Sequence, residues 1–248
     1  MKTALAVALL AVLSFGGARG APAEEPPSAA ALLAETLARL PRQPLDVKGK
    51  LVVRRRHGQE ERTLSFDVAL RWGDQPPTAR YTIRDAFGRP LEQLVVERAD
   101  PAPPRLTYAA GNPLAPAPLP DLFAPIQQTD LSWTDLTLSF LWWQEGAIVA
   151  TNEVRGRRCY LAEMAAPAAA QEPAAAAYAR VRLWIDCEIR MLLQAEGLGA
   201  DGYARRRLWV KSFKRVDETW MIKDIEVQQV GSGHRTKLMV LETNGAPL

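Results

Sequence analysis

Alternation of apolar and polar side chains is the dominant pattern along this chain. Its clearest example runs from Leu64 to Trp72, where Leu64, Phe66, Val68, Leu70 and Trp72 alternate with mostly polar neighbours. A period of two is typical of a half-buried β-strand. Eleven further alternating or β-rich runs predict strands at 47–56, 80–85, 91–97, 105–108, 147–154, 157–163, 178–186, 189–196, 203–215, 219–230 and 236–242. Hairpin-length links with turn residues separate most of them, which predicts an antiparallel sheet that curls on itself.

Two segments break the strand period and predict helices. The first, residues 28–40 ("SAAALLAETLARL"), begins with an N-cap serine, Ser28, and ends before Pro41. Leu33, Leu37 and Leu40 share one helical face, so we expect this helix to lie on the sheet.

The second segment, residues 131–143 ("LSWTDLTLSFLWW"), is called the lid segment below. Ser132 followed by Asp135 resembles a capping box, and Leu136, Phe140 and Trp143 recur at helical spacing. A Pro-rich stretch at 101–128 precedes it and predicts mostly irregular structure. An aromatic stripe of this kind can be ordinary core or a gate over a ligand cavity, and the pattern leaves both interpretations open.

The N-terminus predicts a signal peptide over residues 1–20. Lys2 precedes an apolar run from Ala4 to Phe15, and small residues follow it. No cysteine lies near the expected cleavage point, so we expect a periplasmic protein without a lipid anchor. Residues 21–248 are expected to form a single domain.

Charge excludes a nucleic-acid binder. Without Lys2 and Arg19 the formal net charge falls from +3 to about +1, which gives no strong basic field. The arginine runs at 52–58 and 201–207 are interpreted as solvated or edge faces of strands.

The two cysteines flank a predicted loop at 163–177. A hairpin centred near position 173 places Cys159 opposite Cys187, with Leu161 opposite Ile185 and Glu163 opposite Leu183. A disulfide and two buried thiols are equally consistent with this pattern. The spacing matches no metal motif.

Catalytic chemistry has little support in the sequence. His57 and His234 both lie in predicted turns among charged residues, without identifiable partners for a metal site or a triad. No glycine-rich phosphate loop is present. We therefore predict no catalytic residue, no cofactor and no enzymatic activity.

Three stretches together resemble a known family. In order, they are "LSWTDLTLSFLWWQEGAIVATNEVRGRRCYLAEMAAP", "YARVRLWIDCEIRMLLQAEGLGADGYARRR" and "SFKRVDETWMIKDIEVQQVGSGHRTKL". Their order and spacing resemble the outer membrane lipoprotein-sorting proteins, the LolA-like family, over roughly residues 132–241. The resemblance implies a mainly β fold with a few helices: an unclosed β-barrel of about 11 strands, LolA/LolB-like, with a helical lid over an apolar cavity for acyl chains.

The resemblance also implies a function. We expect a monomeric periplasmic carrier for the acyl chains of lipoproteins or for another lipid, working between an inner-membrane donor complex and an outer-membrane acceptor. The alternative is an envelope sensor of the same fold that recognises lipidated or misfolded proteins and signals to a partner. The inward arginine that ties the lid shut in this family has no match by motif, because alternation places Arg80 and Arg84 opposite to Tyr81 and Ile83. Candidate cavity or lid residues are Leu64, Phe66, Val68, Leu70, Trp72, Tyr81, Ile83, Trp133, Leu136, Phe140, Trp142, Trp143, Leu183 and Ile185.

Overall fold

The structure is a computed structural model that describes residues 26–55, 59–99, 102–167, 178–216 and 219–248. The predicted signal peptide, His57 and most of the predicted loop at 163–177 lie outside the described residues.

One antiparallel sheet contains every described strand, in the order β6-β5-β4-β3-β2-β1-β13-β12-β11-β10-β9-β8-β7, with β14 paired to β13. The strands are β1 Leu45–Arg55, β2 Glu60–Arg71, β3 Thr78–Arg84, β4 Pro90–Ala99, β5 Ala102–Ala110, β6 Ala115–Pro116, β7 Gly146–Val154, β8 Arg157–Ala165, β9 Arg180–Asp186, β10 Leu192–Leu198, β11 Ala204–Val216, β12 Thr219–Gln229, β13 His234–Thr243 and β14 Ala246–Pro247. Twelve of them match the predicted runs, and only the two-residue strands β6 and β14 were not predicted. Because β6 and β7 end the strand order without pairing to each other, the sheet is curled but not closed, which confirms the predicted fold class.

Because side chains alternate along a strand, every second residue, usually an apolar one, lies on the inner face of the sheet. Leu51 pairs with Leu64 on one side and with Leu238 on the other, and all three are buried. Gly49 lies in the same layer, and a Cβ there would collide with the ring of Phe66. The core is therefore the concave side of the sheet together with whatever fills it.

Helix α1 spans Ala29–Leu37, and the Ser28 side chain accepts a hydrogen bond from the Ala31 N–H at 3.1 Å, as the N-cap prediction requires. It packs on β7, β8 and the lid segment. It ends three residues earlier than predicted, so Leu40 lies beyond it, because a residue that precedes proline disfavours helical backbone.

The Pro-rich stretch is more regular than predicted. Strand β5 covers Ala102–Ala110, and the two-residue strand β6 and one short 3₁₀ helix, Ile126–Gln128, follow it within otherwise irregular structure. Prolines fit here because β5 lies near the edge of the sheet, where fewer ladder hydrogen bonds are needed.

The predicted register between the cysteine-bearing strands is wrong by one residue. Cys159 pairs with Asp186, Leu161 with Trp184 and Glu163 with Arg182. A one-residue slip moves every side chain to the other face, so Leu161 does not share a face with Leu183 and Ile185. Ala162 and Met164 occupy the inner face instead, and they set the register by packing beside Leu183 and Val181. Both cysteines are free thiols.

Candidate functional site

The lid segment is not one helix. Helix α2 is a single turn, Trp133–Leu136, that begins with the predicted capping box between Ser132 and Asp135. Leu138 then adopts a left-handed conformation with φ 51°, and a 3₁₀ helix follows at Ser139–Trp142. The continuous stripe predicted for Leu136, Phe140 and Trp143 is therefore wrong, because the helix is broken between the first of these residues and the second.

The lid segment lies inside the curled sheet. Leu131 and Phe140 are almost completely buried, and Trp133 meets Tyr108 of β5 edge to face with ring centroids 6.2 Å apart. At its far end the ring of Trp142 lies 5.8 Å from that of Trp72, at the end of β2. The segment thus occupies the space that a wide, unclosed sheet leaves at its centre.

The predicted cavity and lid residues meet in one cluster. Ten are buried: Leu64, Phe66, Val68, Tyr81, Ile83, Trp133, Phe140, Trp143, Leu183 and Ile185. Four are half-buried and pack against that cluster: Leu70, Trp72, Leu136 and Trp142. Only Trp72 and Trp142 also line an open cleft, described below.

A buried ion pair ties the lid segment to β11. The Arg206 guanidinium donates to the Asp135 carboxylate at 3.1 Å and to the Phe123 carbonyl at 3.1 Å, and both charged side chains are less than 5% exposed. The Tyr178 hydroxyl donates to the other oxygen of Asp135 at 2.8 Å. Gly197 beside Arg206 makes room for Tyr178, because a Cβ there would collide with the tyrosine ring.

Burial and charge shape the protonation of this cluster. Burial, reinforced by the Asp135 charge, raises the pKa of Tyr178 well above its ordinary value. Burial is the largest single influence on the pKa of Arg206 and would lower it, but Asp135 and Tyr178 together outweigh burial and raise that pKa. The tyrosine therefore stays a hydrogen-bond donor and the arginine stays charged at physiological pH.

Arg206 is a functional residue that the sequence reasoning missed. The run at 201–207 was interpreted as solvated, and this holds for Arg205 and Arg207, which form ion pairs with Asp201 and Glu196. Arg206 is buried instead. Its even position, two residues before the buried Leu208, is the signal that could have placed it inside.

A second anchor holds the start of the lid segment. Asp130 is completely buried, and its carboxylate accepts hydrogen bonds from the Gln229 N–H at 2.9 Å, the Ser232 hydroxyl at 2.8 Å and the Thr236 hydroxyl at 2.9 Å. His234 Nδ1 lies 2.8 Å from the same carboxylate. His234 therefore has a structural partner, and both anchors fix the lid segment to strands β11 to β13.

The opposite end of the interior opens into a cleft of about 630 Å³. Its lining combines apolar and basic groups: Leu37, Ala38, Leu40, Arg42, Trp72, Gln75, Pro76, Pro77, Arg98 and Trp142. The two ends are opposite because His234 pairs with the last residue of β1, whereas the end of β2 that carries the cleft pairs with the first. The lid segment is therefore anchored through the buried carboxylates of Asp130 and Asp135 at one end and reaches an open cleft at the other.

Within the described residues, no group of three or more His, Cys, Asp or Glu side chains is arranged to hold a metal ion. No helix in that part of the chain is both long and apolar enough to cross a membrane.

An open antiparallel sheet wrapped around an internal lid segment defines a LolA-like fold, and solved structures share it. A DUF1329 family protein from Desulfovibrio piger superposes with a TM-score of 0.71 at 16% identity, covering 87% of this chain and 90% of its own. A LolA superfamily protein from Nitrosomonas europaea superposes with a TM-score of 0.66 at 13% identity, covering 90% of this chain and 96% of its own. A putative outer membrane lipoprotein-sorting protein domain from Vibrio parahaemolyticus superposes with a TM-score of 0.66 at 10% identity, covering 86% of this chain and 90% of its own.

Residues 121–245, just over half of the chain, match the model of a family described as "Uncharacterized protein", and the chain belongs to that family. No curated protein matches the chain significantly. The match covers the lid segment, both of its anchors and strands β7 to β13.

Proposed function

We propose that this protein is a non-enzymatic carrier that binds the acyl chains of lipoproteins, or of another amphiphilic lipid, inside its curled sheet. The observation that carries the proposal is the asymmetry of the lid segment. Its first half is fixed by Asp130 and by the Asp135–Arg206 pair, whereas its last helical turn ends at a half-buried tryptophan in an open cleft. An apolar interior closed by a segment of its own chain is suited to exchange that segment for a ligand.

Residues 139–143 are the part that moves in this mechanism. Leu138 in a left-handed conformation precedes them, and the exposed Gln144 follows them, just before the chain joins β7 at Gly146. Rotation about these two points withdraws Phe140 and Trp142 without breaking either anchor. The space that they leave lies within the hydrophobic core.

The free energy that the protein loses when the lid withdraws is comparable to the free energy gained by burying an acyl chain. Removing a large aromatic side chain from a packed core costs about 3–5 kcal/mol. Each buried methylene contributes about 0.8 kcal/mol, so about ten methylenes offset the withdrawal of one or two rings. A long acyl chain can thus displace the lid, whereas a short one cannot.

The carrier acts in the periplasm in this proposal, after export by the N-terminal signal at residues 1–20. It receives its cargo from an inner-membrane donor complex, delivers it to an outer-membrane acceptor as a monomer, and so takes part in outer-membrane lipoprotein sorting. The fold shared with a lipoprotein-sorting domain supports this role. The work requires binding and release and no bond breaking.

Displacement of a fluorescent long-chain fatty acid tests the proposal. We expect saturable binding at one site per chain and tighter binding in Trp142→Ala, because the ligand no longer has to displace the ring between lid and cleft. Trp220→Ala is the matched control, because Trp220 is 52% exposed and does not line the cleft. Equal affinities of both variants and the unmodified protein would contradict the lid mechanism. A ligand that stays bound in the presence of acceptor vesicles would favour the sensor over the carrier.

A further inference from the structure

One carboxylate lies in the apolar inner wall of the curled sheet. Glu92 occupies an even position of β4, in line with the buried Leu94 and Val96, and it is only 6% exposed. Its neighbour across the strand pair is Ile83 of β3, which is completely buried. An acidic side chain is almost never buried at such a position unless another group binds it.

A single hydroxyl binds this carboxylate within the described residues. The Tyr108 hydroxyl donates to one carboxylate oxygen of Glu92 at 2.7 Å, and no described cation forms an ion pair with Glu92. Burial, reinforced by the Glu92 carboxylate, raises the pKa of Tyr108, so the phenol keeps its proton and stays the donor. In the described part of the chain, one donor therefore serves a group that can accept about four hydrogen bonds.

The lid segment lies against Glu92 and Tyr108. The ring of Tyr108 meets Trp133 edge to face, and Trp133 belongs to the half of the lid segment that Asp130 and Asp135 anchor. Tyr108 thus contacts Glu92 with its hydroxyl and the anchored half of the lid segment with its ring. Both side chains stay in place when residues 139–143 withdraw, so they border the interior that the cargo enters.

We propose that Glu92 and Tyr108 form a polar subsite that accepts a hydrogen bond from an N–H group next to the acyl chain of the cargo, an ammonium or an amide. The inference rests on the proposed carrier function and adds the chemical class of the cargo. A hydrogen bond to a charged group is strong where water is excluded, and an acceptor without a donor is costly there. Binding of the N–H group therefore satisfies the carboxylate while the chain fills the space that Phe140 and Trp142 leave.

Three probes with one fluorescent 16-carbon chain test the subsite: the primary amine, the N-methyl amide and the methyl ester. The ester matches the amide in shape and lacks its N–H group. Affinity is measured below the micelle threshold for the unmodified protein, Glu92→Gln and Glu92→Leu. We expect the amine and the amide to bind about tenfold more tightly than the ester. Glu92→Gln should remove most of the preference for the amine, because it removes the charge, and Glu92→Leu should remove both preferences.

Glu97→Gln is the matched control, because Glu97 lies on the same strand at an odd position, with its side chain on the opposite face. It should keep both preferences. Urea unfolding gives a second readout: Glu92→Gln should not lower the unfolding midpoint, and a lowered midpoint with unchanged preferences would show a structural role and overturn the subsite.

The comparison of amide with ester needs no variant, so the test holds even where Glu92→Leu impairs folding. Equal affinity for the three probes would overturn the subsite and leave the carrier intact, whereas binding of none would overturn the carrier as well. Preference for the amine alone, or for the amide alone, would support the subsite and identify its N–H group.

Discussion

Replacing Arg206 with methionine should destabilise the protein far more than replacing its neighbour Arg207. Arg206→Met keeps most of the side-chain volume but removes the partner of Asp135 and the donors to the Phe123 carbonyl and the Gln229 side chain. Asp135 is 4% exposed, so its charge would remain buried without its cation. Breaking one partner of a buried pair costs about 3–5 kcal/mol.

The assay is urea unfolding followed by tryptophan fluorescence, with Arg207→Met as the control. Arg207 pairs with Glu196 on the outer face and is about half exposed, so its loss should cost less than about 1 kcal/mol. The double variant Arg206→Met, Asp135→Leu should recover part of the lost stability, because it removes the unpaired charge together with its partner. A loss of unfolding free energy below about 1 kcal/mol for Arg206→Met, or simple additivity in the double variant, would show that the Asp135–Arg206 ion pair does not anchor the lid segment.

Three further predictions follow from the packing of the interior. Trp143→Ala should lower the unfolding free energy by about 3–5 kcal/mol, more than Trp142→Ala, because Trp143 is buried and Trp142 only half-buried; similar losses in urea unfolding would contradict this. Gly197→Ala should cost about 1–3 kcal/mol by pushing a methyl group into the Tyr178 ring, and unchanged thermal stability would argue against the tight contact. Burial raises the pKa of the Cys159 thiol to about 11 and also shields it from reagents, so in a Cys187→Ser background iodoacetamide should alkylate it far more slowly in the native than in the denatured protein at pH 8; equal rates would contradict this.

Much of the sheet could be predicted from alternation alone. The run from Leu64 to Trp72 identifies β2 and its inward residues, since a period of two is imposed by the backbone itself. Pairing between strands was less accessible: the register of β8 on β9 depends on which side chains fit the inner face, and a one-residue error moved Leu161 to the wrong side. That choice is made by packing between distant segments.

The site was predictable in its composition and not in its geometry. The lid segment and its capping box could be predicted from the sequence, but the break at Leu138 could not, because no glycine or proline marks it. The cleft is assembled from the end of α1, the turn after β2, the end of β4 and Trp142, which lie far apart along the chain. Arg206 shows the opposite case: its inward position follows from alternation, and only the charge of its neighbours concealed it.

Native mass spectrometry of the protein, purified from bacterial cells without detergent, tests the central claim most directly. The account predicts a bound acylated species at near one per chain, released on denaturation and identifiable by its mass. An unliganded mass, together with no binding of a fluorescent fatty acid, would contradict the carrier function and leave the lid segment as ordinary core.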